Sequence, residues 1–180
     1  MATVYILLAR GFEESEAIVP ADLLKRAGAD VKFVATENGL SIAGSHGITV
    51  TADIHLDEVR KEDMDMLVLP GGMPGTEYLD KNAGVHALIE YCVSRGIYIG
   101  AICAAPSILG KMQLLDGRNA AVYPSFAGYL KNANVTGKKV EHDDIFVTAE
   151  GMGVSHEFGL KLVELLYGSE TAMNIKESIR

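Results

Sequence analysis

The chain alternates short apolar runs with amphipathic stretches, and glycine or proline punctuates almost every junction. Val4-Tyr5-Ile6-Leu7-Leu8-Ala9 is continuously apolar, the pattern of a parallel strand covered on both faces, and Gly11 breaks it. A helical pattern follows through Ile18, Leu23, Leu24 and Ala27, with Gly28 placed to end it and Pro20 expected in its first turns. Residues 31–35 form a second strand, so the chain opens on a βαβ unit. Over residues 39–51 the pattern becomes a glycine- and serine-punctuated alternation that predicts a hairpin. Residues 65–69 read as a third buried strand, running directly into Pro70-Gly71-Gly72-Met73-Pro74-Gly75. Val85, Leu88, Ile89 and Cys92 then recur at helical spacing within residues 83–95, and Gly96 closes that helix.

A strand over residues 97–102 stops at Cys103, and an apolar helix over residues 108–115 follows. Residues 119–122 predict a strand leading to Tyr123-Pro124. Residues 140–142 and 145–149 flank Asp143-Asp144 as a hairpin with a solvated acidic tip. An amphipathic helix runs from Ser155 through Phe158, Leu162, Leu165 and Leu166 to Gly168, and residues 170–179 add a short helical tail. Strands alternating with helices predict an α/β fold, a mostly parallel sheet with helices on both faces, in a single domain over residues 1–180.

Composition narrows the function classes. With 180 residues, 48% hydrophobic and 22% charged, the chain is an ordinary globular domain, and its net charge of -8 disfavours nucleic acid and anionic membrane as partners. The apolar run at residues 4–9 is too short to span a bilayer and lacks a basic flank, so a cytoplasmic protein is expected. Cys92 and Cys103 belong to no C-x-x-C pair and are expected as free thiols. The five histidines show no ligand spacing, so neither metal nor cofactor is expected.

Candidate chemistry centres on Cys103. A sulfur at a strand-to-helix corner faces a helix N-terminus, where a thiolate is stabilised; small residues on both sides suit a tight corner of the nucleophile-elbow kind. The alternative is a buried, inert thiol. The loop at Gly71-Gly72 lacks both the lysine of a P-loop and the G-x-G-x-x-G spacing, so it is either a plain tight turn or a loop whose backbone approaches a ligand. Glu13-Glu14-Ser15-Glu16 is either charge compensation for a helix start or the source of one inward carboxyl. Such a carboxyl beside Cys103 would keep its proton while the thiol loses its own. All three segments follow predicted strands and meet at one end of the sheet.

Gly11-Phe12-Glu13-Glu14-Ser15-Glu16-Ala17, Leu69-Pro70-Gly71-Gly72, Ala101-Ile102-Cys103-Ala104-Ala105-Pro106 and Gly151-Met152-Gly153 together resemble the ThiJ/PfpI superfamily, in the branch of the parkinsonism-associated DJ protein and its bacterial relatives. The resemblance implies a flavodoxin-like three-layer sandwich, a homodimer, Cys103 as nucleophile and Glu16 as its protonated partner. It also implies an oxyanion or substrate site at Gly71, Gly72 and Ala104, with Tyr123 alongside. The activity it implies is that of a cofactor-independent glyoxalase III or protein deglycase acting on small aldehydes. The same cysteine also suits a redox-responsive stress protein with chaperone output. Ala104 stands where peptidase-like relatives carry histidine, which argues against a peptidase. Tyr123 replaces another common histidine, Glu150 a polar or basic residue, and His46 an arginine at the dimer contact.

Overall fold

A computed structural model describes residues 1–179. Strand β1 (Thr3–Leu8) leads through the acidic turn into α1 (Glu14–Arg26), and Gly28 at φ +89° reverses the chain into β2 (Asp30–Ala35). The predicted hairpin is β3 (Ser41–Ala43) with β4 (Thr49–Thr51), followed by the two-residue β5 (Ile54–His55). After β6 (Met66–Leu69) come α2 (Gly75–Lys81) and α3 (Ala83–Arg95), the latter capped by Asn82, whose side chain accepts from the amides of Gly84 and Val85. Next are β7 (Tyr98–Ile102), α4 (Pro106–Lys111), β8 (Asn119–Ala120), β9 (Asn134–Val135), β10 (Val140–Asp143), β11 (Phe146–Ala149), α5 (Ser155–Tyr167) and α6 (Ser169–Ser178).

Seven strands form the central sheet in the order β10-β11-β7-β6-β1-β2-β5, all parallel except β10. Alternate residues of β1 sort into two cores, which is why its sequence is apolar without a break. Val4, Ile6 and Leu8 pack with Leu23 and Leu24 of α1 and Phe158 and Leu162 of α5. Tyr5 and Leu7 pack on the other face with Leu88 and Ile89 of α3 and Ile108 and Leu109 of α4. The fold is therefore the expected three-layer sandwich.

Four local expectations change. Pro20 is the seventh residue of α1, not part of its first turn; its missing N–H leaves the Glu16 carbonyl without the usual helical donor. There α1 passes so close to α5 that a Cβ on Gly159 would lie 3.0 Å from the Pro20 Cα. Helix α4 spans six residues and stops at Lys111, because Gln113 takes a left-handed conformation (φ +61°) and Leu114 N–H bonds back to the Leu109 carbonyl. Nothing about a glutamine announces that cap. The strand expected at residues 119–122 shortens to β8, which pairs with β9 outside the main sheet. Asp143 lies within β10 and accepts from the Asn119 amide at 2.8 Å, while Arg118 spans Asp143 and Asp144, so the acidic pair is an anchor and not a free tip.

Candidate active site

Strands β7, β6 and β1 are adjacent and parallel, so the loops leaving their carboxyl ends converge. From β1 the sheet grows outward on both sides, which makes the β1–β6 boundary the topological switch point where α/β proteins bind ligands. Here the acidic turn and the glycine loop are bonded in both directions. Glu13 N–H donates to the Gly71 carbonyl (2.9 Å), and Gly71 N–H donates to Glu16 Oε2 (2.9 Å).

The three acids of the turn have separate tasks. Glu13 is the N-cap residue of α1 but makes no side-chain cap; it accepts from Ser45 Oγ at 3.2 Å. Glu14 turns towards the hairpin and accepts from the amides of His46 (2.8 Å) and Ile48 (3.3 Å), with His46 Nδ1 at 3.0 Å. Burial opposes ionisation of Glu14, but hydrogen bonds from its own backbone amide, from His46 and from Ile48 outweigh it and hold the carboxyl at about 2. The exposed His46 is raised by its bond to Glu14 and by the charges of Glu13 and Glu14. Glu13, Glu14 and His46 thus come within ligating distance of one another, which spacing over 32 residues of chain could not reveal. Hydrogen bonding within the group accounts for their geometry as a latch between the β3–β4 hairpin and α1. Glu14→Ala is expected to lower stability by about 1–3 kcal/mol, measured by thermal denaturation, because two hairpin amides lose a buried, charged acceptor.

Glu16 is the inward acid, fully buried. Burial raises its carboxyl to about 7, opposed by the Gly71 amide and the Cys103 thiol and assisted by the negative charge of Glu13. Its second oxygen, Oε1, is buried without a hydrogen-bond partner among the described residues.

Cys103 stands at φ +63°, a left-handed conformation that costs an ordinary residue roughly 1–2 kcal/mol and turns the side chain out of line with β7. Two backbone bonds hold it there: its N–H donates to the Ala149 carbonyl and its carbonyl accepts from the Tyr123 N–H, both at 2.9 Å. Burial pushes the thiol up to about 12, and the Glu16 carboxylate adds to this, against the amides of Ala104 and Gly72 at the sulfur. Burial and the neighbouring carboxyl thus act against the thiolate expected from a helix N-terminus. Helix α4, only six residues long and beginning with proline, offers a short dipole to set against them. Cys103 and Glu16 instead titrate as a coupled pair, in which a proton leaving sulfur has a carboxylate next to it.

The glycines are required by contact. A Cβ on Gly71 would stand 2.7 Å from both Cys103 Cβ and Glu16 Oε2. Gly71 spends its N–H on Glu16, so of the expected oxyanion donors the structure brings Gly72 and Ala104 to the sulfur and gives Gly71 to the carboxyl. Gly72 sits at φ +89°, and a Cβ there would overlap the Glu13 nitrogen. Gly72→Ala is expected to cost more than about 2 kcal/mol, read from its denaturation midpoint, since backbone and not a movable side chain is in the way. Tyr123 is half-exposed, with its ring against Gly151. A Cβ on Gly151 would be 3.4 Å from that ring and 3.9 Å from Cys103 Sγ, so Gly151 forms the remaining wall. Cys92 lies fully buried in α3 with its thiol pushed up to about 12 by burial.

Known proteins resemble this chain over most of its length. The chain is 34% identical to the protein dj-1beta of Drosophila melanogaster over 176 residues, covering 97% of this chain and 94% of that protein. It is 35% identical to "Deglycase PH1704" of Pyrococcus horikoshii over 152 residues, covering 84% and 87%. It is 37% identical to DJ-1 homolog B of Arabidopsis thaliana, covering 96% of this chain but only 40% of that longer protein. Among solved structures, an oxidised DJ-1 of Toxoplasma gondii superposes with a TM-score of 0.94 at 34% identity, covering 99% of this chain and 98% of that one. The family model of the DJ-1/PfpI family matches residues 2–165, and by sequence and fold the chain belongs to that family.

Proposed function

We propose that the protein is a cysteine-dependent enzyme of the glyoxalase III or deglycase type, acting on small reactive aldehydes such as methylglyoxal. The observation that carries this reading is the Cys103–Glu16 pair, a thiol beside a buried carboxyl at about 7, with the Gly72 and Ala104 amides at the sulfur. Sulfur adds to the aldehyde carbon while the thiol proton passes to Glu16 and on to the new oxygen, giving a hemithioacetal. The amides of Gly72 and Ala104 are placed to receive the developing oxyanion. Glu16 then takes the proton from C1 and returns it to C2, which oxidises C1 to a thioester and reduces the ketone to an alcohol. Water cleaves the thioester, releasing lactate and restoring the thiol. One water is consumed, and no other reactant is needed. With Ala104 following the cysteine, no histidine is available from that position to drive peptide hydrolysis. The test is lactate formation from methylglyoxal by the purified protein; a rate no faster than that of buffer overturns the reading. The homodimer and cytoplasmic location expected from the sequence belong to this proposal. Among the described residues no helix is long and apolar enough to cross a membrane.

A second reading is supported by the same amides and by the oxidised state of the Toxoplasma gondii relative. Two equivalents of hydrogen peroxide would oxidise the Cys103 thiol to sulfinic acid and be reduced to water, with Glu16 and the amides holding the new oxygens. Mass spectrometry after mild peroxide is expected to find a two-oxygen adduct on Cys103 and none on Cys92; the reverse pattern overturns it.

A further inference from the structure

Gly71, Gly72 and Gly151 all border Cys103, and the fold demands the first two. A Cβ on Gly71 would press on the side chains of Cys103 and Glu16, and one on Gly72 would overlap backbone at a left-handed φ. Gly151 is different. Its backbone is fully extended (φ 164°, ψ −171°), a conformation open to other residues. A Cβ there would meet Tyr123 Cδ2 at 3.4 Å, Cys103 Sγ at 3.9 Å and Tyr123 Cε2 at 4.0 Å, with no protein atom closer. These are ordinary van der Waals separations. Neither conformation nor crowding therefore keeps a side chain off position 151. Its absence leaves room for one carbon atom in contact with both the sulfur and the Tyr123 ring. The place is within reach of a ligand, since Cys103 is partly exposed and Tyr123 half-exposed.

The proposed chemistry assigns the other directions about the reacting carbon. In the hemithioacetal, C1 is bonded to sulfur, oxygen, hydrogen and C2. The oxygen faces the Gly72 and Ala104 amides at the sulfur, and the hydrogen faces Glu16, which removes it. Glu16 is itself fixed by the Gly71 N–H at 2.9 Å. C2 and the group it carries are left the side of Gly151 and Tyr123. An atom joined to sulfur through two carbons stands about 3–4 Å from it. The vacant Cβ position, 3.9 Å from Sγ, meets that requirement.

Resting on that carbonyl chemistry, we propose that Gly151 is a specificity-determining residue: the space it leaves open seats the group carried on C2, against the Tyr123 ring. The substrates it admits are 2-oxoaldehydes whose second carbon carries hydrogen or a methyl group. A side chain at position 151 takes the place of that methyl, whereas glyoxal, with hydrogen there, does not need the space. Gly151 makes no bond to substrate and moves no proton.

Gly151→Ala tests this by putting a methyl group into the space. Its denaturation midpoint is expected to stay within about 4 °C of wild type. Its kcat/KM for methylglyoxal is expected to fall about 10–100-fold relative to that for glyoxal. A second readout needs no turnover. Initial rates of Cys103 labelling by methyl and isopropyl methanethiosulfonate are compared, with mass spectrometry to assign the site. Their ratio is independent of how much thiolate is present. It is expected to move about tenfold against the isopropyl reagent in Gly151→Ala, and to return to within about threefold of wild type in Gly151→Ala/Tyr123→Ala. The second substitution opens space beside the new methyl and keeps the backbone bond from Tyr123 N–H to the Cys103 carbonyl. A labelling ratio that does not move in Gly151→Ala, or that loss of the ring does not restore, overturns the proposal. So does an unchanged preference between glyoxal and methylglyoxal, or a larger fall in midpoint, which would show that the fold demands this glycine too. Failure of the wild type to form lactate would overturn the enzymatic reading alone, because the labelling ratios still decide what the space at Gly151 admits.

Discussion

Cys103→Ser is expected to reduce lactate formation from methylglyoxal by about 10³-fold or more while leaving the protein folded. A serine hydroxyl is far less acidic than a thiol, and activating it takes a strong base held against the oxygen. The residue after position 103 is alanine, and the neighbouring group is Glu16, whose carboxyl at about 7 is suited to a thiol and too weak for an alcohol. Sulfur and oxygen differ little in size, and the two backbone bonds that fix position 103 involve only its N–H and carbonyl. The denaturation midpoint should therefore shift by no more than about 1 kcal/mol equivalent. Residual activity within tenfold of wild type would mean that the sulfur is not the nucleophile.

Glu16→Gln is expected to act in opposite directions on activity and stability. Activity should fall by about 10²–10⁴, because glutamine accepts the Gly71 N–H but carries no proton between carbons. Stability should rise at high pH. Below the ordinary value of 4.5 the carboxyl is protonated in the folded and unfolded chain alike and adds no penalty. Between 4.5 and about 7 the unfolded chain releases a proton that burial makes the folded chain keep, so wild-type stability declines through this window. Above about 7 the full penalty, about 3 kcal/mol, is present. The glutamine variant lacks this slope. Thermal denaturation at pH 5 and pH 8 reads the difference, and equal gaps between variant and wild type at both values would show that Glu16 is not held protonated by burial.

Most of the fold is legible in the chain because its parallel strands are buried on both sides. Residues 4–9 and 65–69 can be nothing but central strands, and Gly28, Gly96 and Gly168 mark the helix ends where left-handed or extended reversals occur. What was not legible depends on contacts between distant segments or on backbone states that residue type does not announce. Gln113 ends α4 in a left-handed turn, and β8 finds its partner 15 residues on, in a pair too short to show any alternation. At the site, position along the strands identified Cys103, Glu16 and the glycine loop correctly as neighbours. Their protonation was another matter, since the six-residue length of α4 and the depth of burial decide it, and neither is visible in the letters. The division of labour among Glu13, Glu14 and Glu16 was equally hidden, because it is set by a hairpin some thirty residues away.

The two margins of the sheet also constrain how copies of this protein can meet. At one margin β5 offers only two residues, and at the other β10 carries Glu141, His142 and Asp143, with Asp143 bonded to the Asn119 amide of the small β8–β9 pair. A strand from a second molecule finds too little ladder on one side and a charged, partly covered one on the other. Continuous β-addition, the route by which open parallel sheets turn into fibres, is therefore closed to the native fold. Any contact between native copies is left to their side-chain surfaces.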